Sequence, residues 1–263
     1  MLLTQLKQYK RFFAFGCSFT EHIYPTWADV VRKSIPDAKF YNFGRSGAGN
    51  LQISVRIAEA NTRYKFDEND LVMVMFTSFN REDRWVTPKW QSYGNVYNND
   101  YYDKSFYKYC DPLGYAVRDC ALIELVSNYL QNTPATVCLM PSSPIGNFVV
   151  EETDDEAPRT TAKKIISLYE NMYNKMPMPL LDYLGNKYKK VVYYDPITKE
   201  KHEDSHPNPL LYYEYINNNV VKLKDESLNC AIEWTDALDN LSDLKSIILH
   251  FHHTVNRNDE GLF

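Results

Sequence analysis

The sequence predicts an α/β protein, a mostly parallel five-stranded sheet with helices on both faces, and three observations lead there. Short apolar runs recur along the chain, and most of them empty into turns rich in Gly, Ser or Asn. Segments of helical period separate the runs, as expected when parallel strands are joined by crossovers. The runs are continuous, not alternating, as strands buried on both faces must be. At 263 residues the chain reads as a single domain, 1–263, with an aromatic-rich insertion at about 82–112 after the third strand and a helical extension at about 225–263.

The first run, Phe12-Phe13-Ala14-Phe15, breaks off at Gly16-Cys17-Ser18. That places Ser18 just beyond the carboxyl end of a strand, where ligands sit in open α/β sheets. Ser18 is either a candidate nucleophile or the cap of the helix that follows. Thr26 to Ser34 carries Trp27, Val30 and Val31 at helical spacing, and Pro36 stops it. Lys39 to Phe43 reads as the second strand, which runs into Gly44-Arg45-Ser46-Gly47 before a helix from Leu51 to about Arg63. Asp70 to Thr77 is the third strand and ends in Ser78-Phe79-Asn80-Arg81.

From Glu82 to Pro112 the pattern is lost, and Trp85, Trp90, Tyr93 and Tyr97 appear among Asn and Asp. An irregular excursion of this length in a compact domain tends to be functional. Leu113 to Gln131 reads as a helix and Ala135 to Met140 as a strand. Ser142 to Arg159 is irregular, its acidic run at 151–156 a solvated loop. Thr161 to Asn174 and Leu180 to Tyr188 are helical, and Lys190 to Tyr194 is the fifth strand. It leads to His202-Glu203-Asp204-Ser205-His206-Pro207, then a helix from Leu210 to Leu223. Helical spacing returns from Leu238 to His252, where His250, His252 and His253 are read as polar or capping residues.

Composition excludes several classes. A net charge of −5 without a basic block argues against a nucleic-acid surface. No apolar window approaches the ~18 residues of a membrane span, and no signal segment is visible, which points to the cytoplasm. Five cysteines without a Cys-x-x-Cys pair support neither a disulfide framework nor a zinc site, so no metal or other cofactor is expected. Cys17, next to Ser18, is the one thiol placed to react.

All the unusual chemistry falls at strand ends: Ser18 after the first strand, Gly47 after the second, Asn80 after the third and His206 after the last. A serine nucleophile needs a base, the base an orienting carboxylate, and the tetrahedral oxyanion needs donors. Gly16-x-Ser18, Asn42-x-Gly44-x-Ser46-Gly47, Asn80 and Asp204-x-His206-Pro207 resemble, in order and spacing, the blocks of the SGNH, or GDSL-like, hydrolases over roughly residues 12 to 210. The resemblance implies a flavodoxin-like three-layer sandwich in which Ser18 attacks an ester carbonyl and His206 takes its proton. The Ser18 and Gly47 backbone N–H groups and the Asn80 amide would form the oxyanion hole.

The chain departs from the family's usual pattern by carrying Cys17 for aspartate and by lacking the glycine and acid around Asn80. The family's carboxylate usually lies three residues before the histidine, which selects Glu203; a two-residue spacing, found in relatives that move acetyl groups on polysaccharides, selects Asp204. Pro207 pushes His206 out of helical geometry, which favours Asp204.

The expected activity is that of a serine esterase or O-deacetylase, hydrolysing or transferring an acyl group. Trp85, Trp90, Tyr93 and Tyr97 are the candidate substrate-binding residues, because aromatic faces stack on sugar rings. The expected partner is a small-molecule or carbohydrate ester, with no nucleic acid and no membrane. The alternative is a catalytically degenerate carbohydrate-binding or structural module on the same fold, in a virion or other assembly.

Overall fold

Phe12, Phe13, Ala14 and Phe15 are all fully buried because their strand, β1 (Arg11–Gly16), lies inside a parallel sheet. The computed structural model describes residues 5–97, 101–102, 105–144, 156–187 and 190–255. Within them β1 pairs with β2 (Lys39–Gly44) on one side and β3 (Asp70–Phe76) on the other, and β6 (Thr136–Pro141) pairs with β3, giving the order β2-β1-β3-β6. This is the start of the flavodoxin-like order, in which the chain winds outward in both directions from the first strand.

The two-residue period of a strand sorts the apolar runs between two cores. Phe12, Ala14, Leu71, Met73 and Met75 enter one core, with α1 (Trp27–Ser34) and the later helices α7 (Pro209–Asn219), α8 (Asp225–Asn240) and α9 (Leu244–Phe251). Phe13, Phe15, Val72, Val74 and Phe76 enter the other, with α2 (Asn50–Tyr64), α3 (Pro112–Gln131) and part of α4 (Glu156–Leu168). The result is a three-layer α/β/α arrangement. Across β1 and β2, Phe12 stacks on Phe40 at 5.0 Å and Phe13 on Tyr41 at 4.8 Å, each pair in direct register. Cross-strand pairs of this kind contribute about 0.2–1 kcal/mol each.

The expected fifth parallel strand does not join this sheet, which has four strands among the described residues. Residues Val191–Tyr194 form β7, but only alternate residues are covered: Val191 and Tyr193 pack on the core, whereas Val192 and Tyr194 are exposed. β7 instead pairs antiparallel with β8 (Lys201–Asp204), Val191 facing Asp204. A one-sided strand suits a surface hairpin and could not be buried between two helical layers.

The aromatic excursion is also more ordered than its composition indicates. Arg81–Val86 (β4) and Lys89–Asn95 (β5) make an antiparallel hairpin with a register shift between Arg81 and Asp83, and Phe106–Tyr109 forms a 3-10 turn. Two short helices, α5 (Glu170–Tyr173) and α6 (Leu180–Leu184), precede β7. Past residue 225 lie two helices, α8 and α9; the helical spacing read from Leu238 to His252 is broken at Leu241 to Asp243, where the Asp243 side chain caps α9 by accepting the Ser246 N–H. Most of the acidic run, residues 151–155, lies outside the described residues. No helix among those described is long and apolar enough to cross a membrane.

Candidate active site

The turn after β1 is fixed by its own small residues. The Thr20 and Glu21 N–H groups donate to the Cys17 carbonyl at 2.9 and 3.2 Å. A Cβ on Gly16 would strike the Thr20 hydroxyl, so only glycine lets the chain fold back this tightly. Cys17 turns into the core beside Phe15 and Phe76, which removes it as an exposed reactive thiol. All five cysteines are free.

The turn after β2 is tied to the first. Asn42 Nδ2 donates to the Thr20 carbonyl at 2.9 Å, its Oδ1 accepts the Gly44 N–H at 3.0 Å, and the Arg45 N–H donates to the Gly16 carbonyl at 3.1 Å. The buried Thr26 hydroxyl donates to the same Thr20 carbonyl at 2.7 Å. The loop after β3 joins through Asn50, which donates to the Thr77 carbonyl (3.1 Å) and to Asp119 (3.0 Å) and accepts the Thr77 N–H (2.9 Å). Ser18 and Asn80 are both buried, and Asn80 takes a left-handed φ of 61° that asparagine tolerates better than most residues.

Gly47 has a φ of +80°, and a Cβ there would run into the Ser92 carbonyl. The β4–β5 hairpin therefore rests directly on the Gly47 loop; the Gly94 N–H donates to the Gly47 carbonyl at 3.1 Å. Beside it, buried Asp83 accepts the Gly49 N–H at 2.8 Å, the Gln52 N–H at 2.9 Å and the Ser92 hydroxyl at 2.6 Å. Asp83 thus satisfies two open donors at the start of α2, a capping role filled from another element.

The histidine comes from the far end of the chain. β8 ends at Asp204, whose Oδ1 accepts both the backbone N–H of His206 (2.9 Å) and its ring Nδ1–H (2.5 Å). Because a carboxylate only accepts, this bond puts the ring proton on Nδ1 and leaves Nε2 as the basic position. Glu203, one residue away, points to solvent, where Lys190 and Lys201 each hold it at 3.1 Å. Those two lysines lower its pKa.

The pair is delivered to the first turn. The Phe19 ring lies 5.1 Å from the His206 ring, and the Tyr24 hydroxyl donates to the His206 carbonyl at 3.1 Å. No hydrogen bond joins the Ser18 hydroxyl to His206. Such contacts are often open in a free enzyme and close around substrate.

One residue at the site had no mark in the sequence reading. His22 Nε2 donates to Asp204 Oδ2 at 2.7 Å, and its ring stacks on that of His206 at 4.0 Å and 25°. Tyr24 meets His22 edge-on at 4.5 Å. Its only sequence signal is a histidine four residues after Ser18, in the same turn. Burial opposes ionisation of Asp204, but the N–H groups of His206 and His22 outweigh it and hold the carboxyl well below the usual carboxylate range. The three side chains each present a ligand atom within 4.8 Å of the others, near enough to share a cation. Both carboxylate oxygens, however, are already taken by ring N–H groups, and a cation would have to displace those protons.

The aromatic residues separate onto two faces of the hairpin. Trp85 and Trp90 pair edge-on at 5.8 Å on the face that carries Asp83 and Ser92, and Arg45 donates to the Trp90 carbonyl at 3.5 Å. Tyr93 lies on the opposite face and stacks on Tyr101 at 4.8 Å. There it lines a cavity of about 500 Å³ with Glu82, Arg84, Tyr102 and Phe106, none of them a candidate catalytic residue. Tyr97 is half-buried past the end of β5, its N–H donating to Asn95 at 2.9 Å. His202 is exposed and stacks on Tyr193 at 5.7 Å.

No family profile and no curated protein matches the sequence. Among solved structures the chain is similar to a lipolytic protein of the G-D-S-L family from Veillonella parvula, with 12% identity and a TM-score of 0.42 over 85% of this chain and 96% of that one. It is also similar to a catalytic mutant of an acetylxylan esterase from Geobacillus stearothermophilus, with 14% identity and a TM-score of 0.34 over 65% and 75% of the two chains.

Proposed function

We propose that this protein is a serine esterase of the SGNH type, acting on an acyl ester of a carbohydrate or small molecule. The observation that supports it most is the Asp204–His206 pair, brought from the end of the chain onto the Ser18 turn in the tautomer a general base needs. In the reaction Ser18 Oγ attacks the ester carbonyl and its proton passes to His206 Nε2. The imidazolium is stabilised by Asp204. The carbonyl electrons move to the oxyanion, which takes hydrogen bonds from the Ser18 and Gly47 backbone N–H groups and the Asn80 amide. As the tetrahedral intermediate collapses, the alcohol leaves with the proton from His206, and water or a second hydroxyl then resolves the acyl-serine by the same steps.

Trp85 and Trp90 are the residues we assign to sugar stacking, since they share the hairpin face that rests on the Gly47 loop. A fluorophosphonate probe followed by mass spectrometry tests the nucleophile, with labelling expected at Ser18. Turnover of a chromogenic acetyl ester should vanish in Ser18→Ala. Equal turnover by both proteins, together with no labelling, would identify a binding module instead. A panel of acetylated oligosaccharides then addresses the acyl acceptor and the sugar.

A further inference from the structure

We propose that His22 is a positioning residue of the same site: by occupying Asp204 Oδ2 and stacking on His206, it fixes the carboxylate and limits how strongly that carboxylate stabilises a protonated His206. The inference rests on the esterase reading for its role in turnover, but the coupling itself is a property of the three side chains. Asp204 carries one negative charge and divides it between two ring N–H donors, at 2.5 and 2.7 Å. An acid that served His206 alone would leave Oδ2 to water or unpaired, in a residue that is 8% exposed. A buried carboxylate oxygen without a donor is costly, so His22 keeps Asp204 both ionised and aimed.

The sign of the electrostatic effect follows from geometry. With His22 present, part of the carboxylate's attraction is used on a second donor, and any positive charge on His22 would sit 4.0 Å from the His206 ring. Both effects disfavour the imidazolium on His206. Removing the His22 donor therefore concentrates the Asp204 charge on His206 and makes the base harder to free of its proton. Titratable groups beside this cluster include Glu21, next to His22 in the same turn, Tyr24, whose hydroxyl is bonded to the His206 carbonyl, and Tyr193 on β7. Burial, and after it the Asp204 charge, raises the Tyr193 pKa, so it stays neutral through the range that matters.

The test compares His22→Phe and His22→Asn, which remove the donor or draw it out of reach, with His22→Gln, which can still donate to Asp204. Two readouts are taken on folded protein: the pH profile of acetyl-ester turnover, and the NMR titration of the His206 ring. We expect the acid limb of the profile, and the His206 titration with it, to move to higher pH by about one unit in the first two variants. Turnover at the optimum should fall roughly tenfold. His22→Gln should lie near wild type in both. If all three variants lose the same factor at every pH with the limb and the NMR titration in place, His22 only fills space and the proposal is overturned. Unchanged behaviour in all three overturns it as well. If instead the His206 titration moves as expected while ester turnover proves independent of Ser18, the coupling stands and the esterase reading fails.

Discussion

Asp204 Oδ1 lies 2.5 Å from Nδ1 of His206, and the same oxygen accepts that residue's backbone N–H at 2.9 Å. The acid thus fixes both the ring and the turn that presents it. Glu203 has no part in this, being engaged by Lys190 and Lys201 on the outer side of β8. Asp204→Asn is therefore expected to lower ester turnover by up to about 10⁴, because a carboxamide can present an N–H to Nδ1 and select the wrong tautomer. Glu203→Gln should stay within about twofold, as exposed charges contribute little. Steady-state rates of the two purified variants decide the matter, and the reverse ranking would move the acid to Glu203.

Acid should act on activity and on the fold through different groups. If His206 is the base of the proposed esterase, turnover should fall on acidification as the imidazole takes up a proton. Asp204 adds a separate effect: its carboxyl is held below the ordinary range, so its folded pKa is lower than its unfolded one. Its stabilising contribution is present above the unfolded value of about 3.9 and is lost as the pH falls further. Melting temperatures measured between pH 3 and 6, a range set by that ~3.9 reference, should decline more steeply for wild type than for Asp204→Asn. Parallel curves would show that the charge of Asp204 is not coupled to folding.

Gly47 and the hairpin form one unit. Gly47→Ala places a methyl group against the Ser92 carbonyl in a backbone conformation that L-residues seldom adopt, at a cost of about 1–3 kcal/mol. The Gly47 N–H would move with the strained turn. We expect a drop in kcat much larger than any change in KM, alongside a lower denaturation midpoint. Wild-type kcat in a folded Gly47→Ala variant would remove Gly47 from the oxyanion hole.

Asp83 is the part of this unit that sequence reading passed over. Its carboxylate serves the start of α2 and the Ser92 hydroxyl while almost fully buried. Asp83→Ala should cost about 2–4 kcal/mol in chemical denaturation, since several buried donors lose their acceptor together. Ser92→Ala, which removes one of those donors, should cost about 1 kcal/mol.

The two faces of the hairpin should separate in substrate assays. Trp85→Ala and Trp90→Ala are expected to raise KM for an acetylated oligosaccharide by roughly tenfold while leaving a small chromogenic acetate unchanged, given about 1.4 kcal/mol for a lost ring contact. Tyr93→Ala, on the opposite face, should leave both substrates alone. A KM effect confined to Tyr93 would shift the sugar site to the cavity that it lines.

Local pattern was enough to predict the sheet. Unbroken apolar runs at 12–15 and 71–76 are buried on both faces, and glycine-bearing turns follow the first two strands, where Ser18 and Gly47 stand. The Asp204-x-His206-Pro207 spacing was also legible, because two-residue alternation and the restraint before a proline act within a few residues. The fate of Val191–Tyr194 was not. A run of Val and Tyr looks alike whether one face or two are covered, and only the packing of the helices around it decides which.

The same holds for the polar groups that complete the site. Asp83 finds two of its donors, Gln52 and Gly49, at the start of α2, 31 and 34 residues earlier in the chain, and Asn50 finds Asp119 69 residues later. His22 meets Asp204 across 182 residues. Burying a carboxylate requires donors, but nothing in the nearby sequence says which distant element supplies them. The chain by itself indicated the buried strands of the parallel sheet and the strand ends at which the candidate site residues emerge; the tertiary structure decided which of them share protons and charge, because that depends on distances of a few ångströms between remote segments.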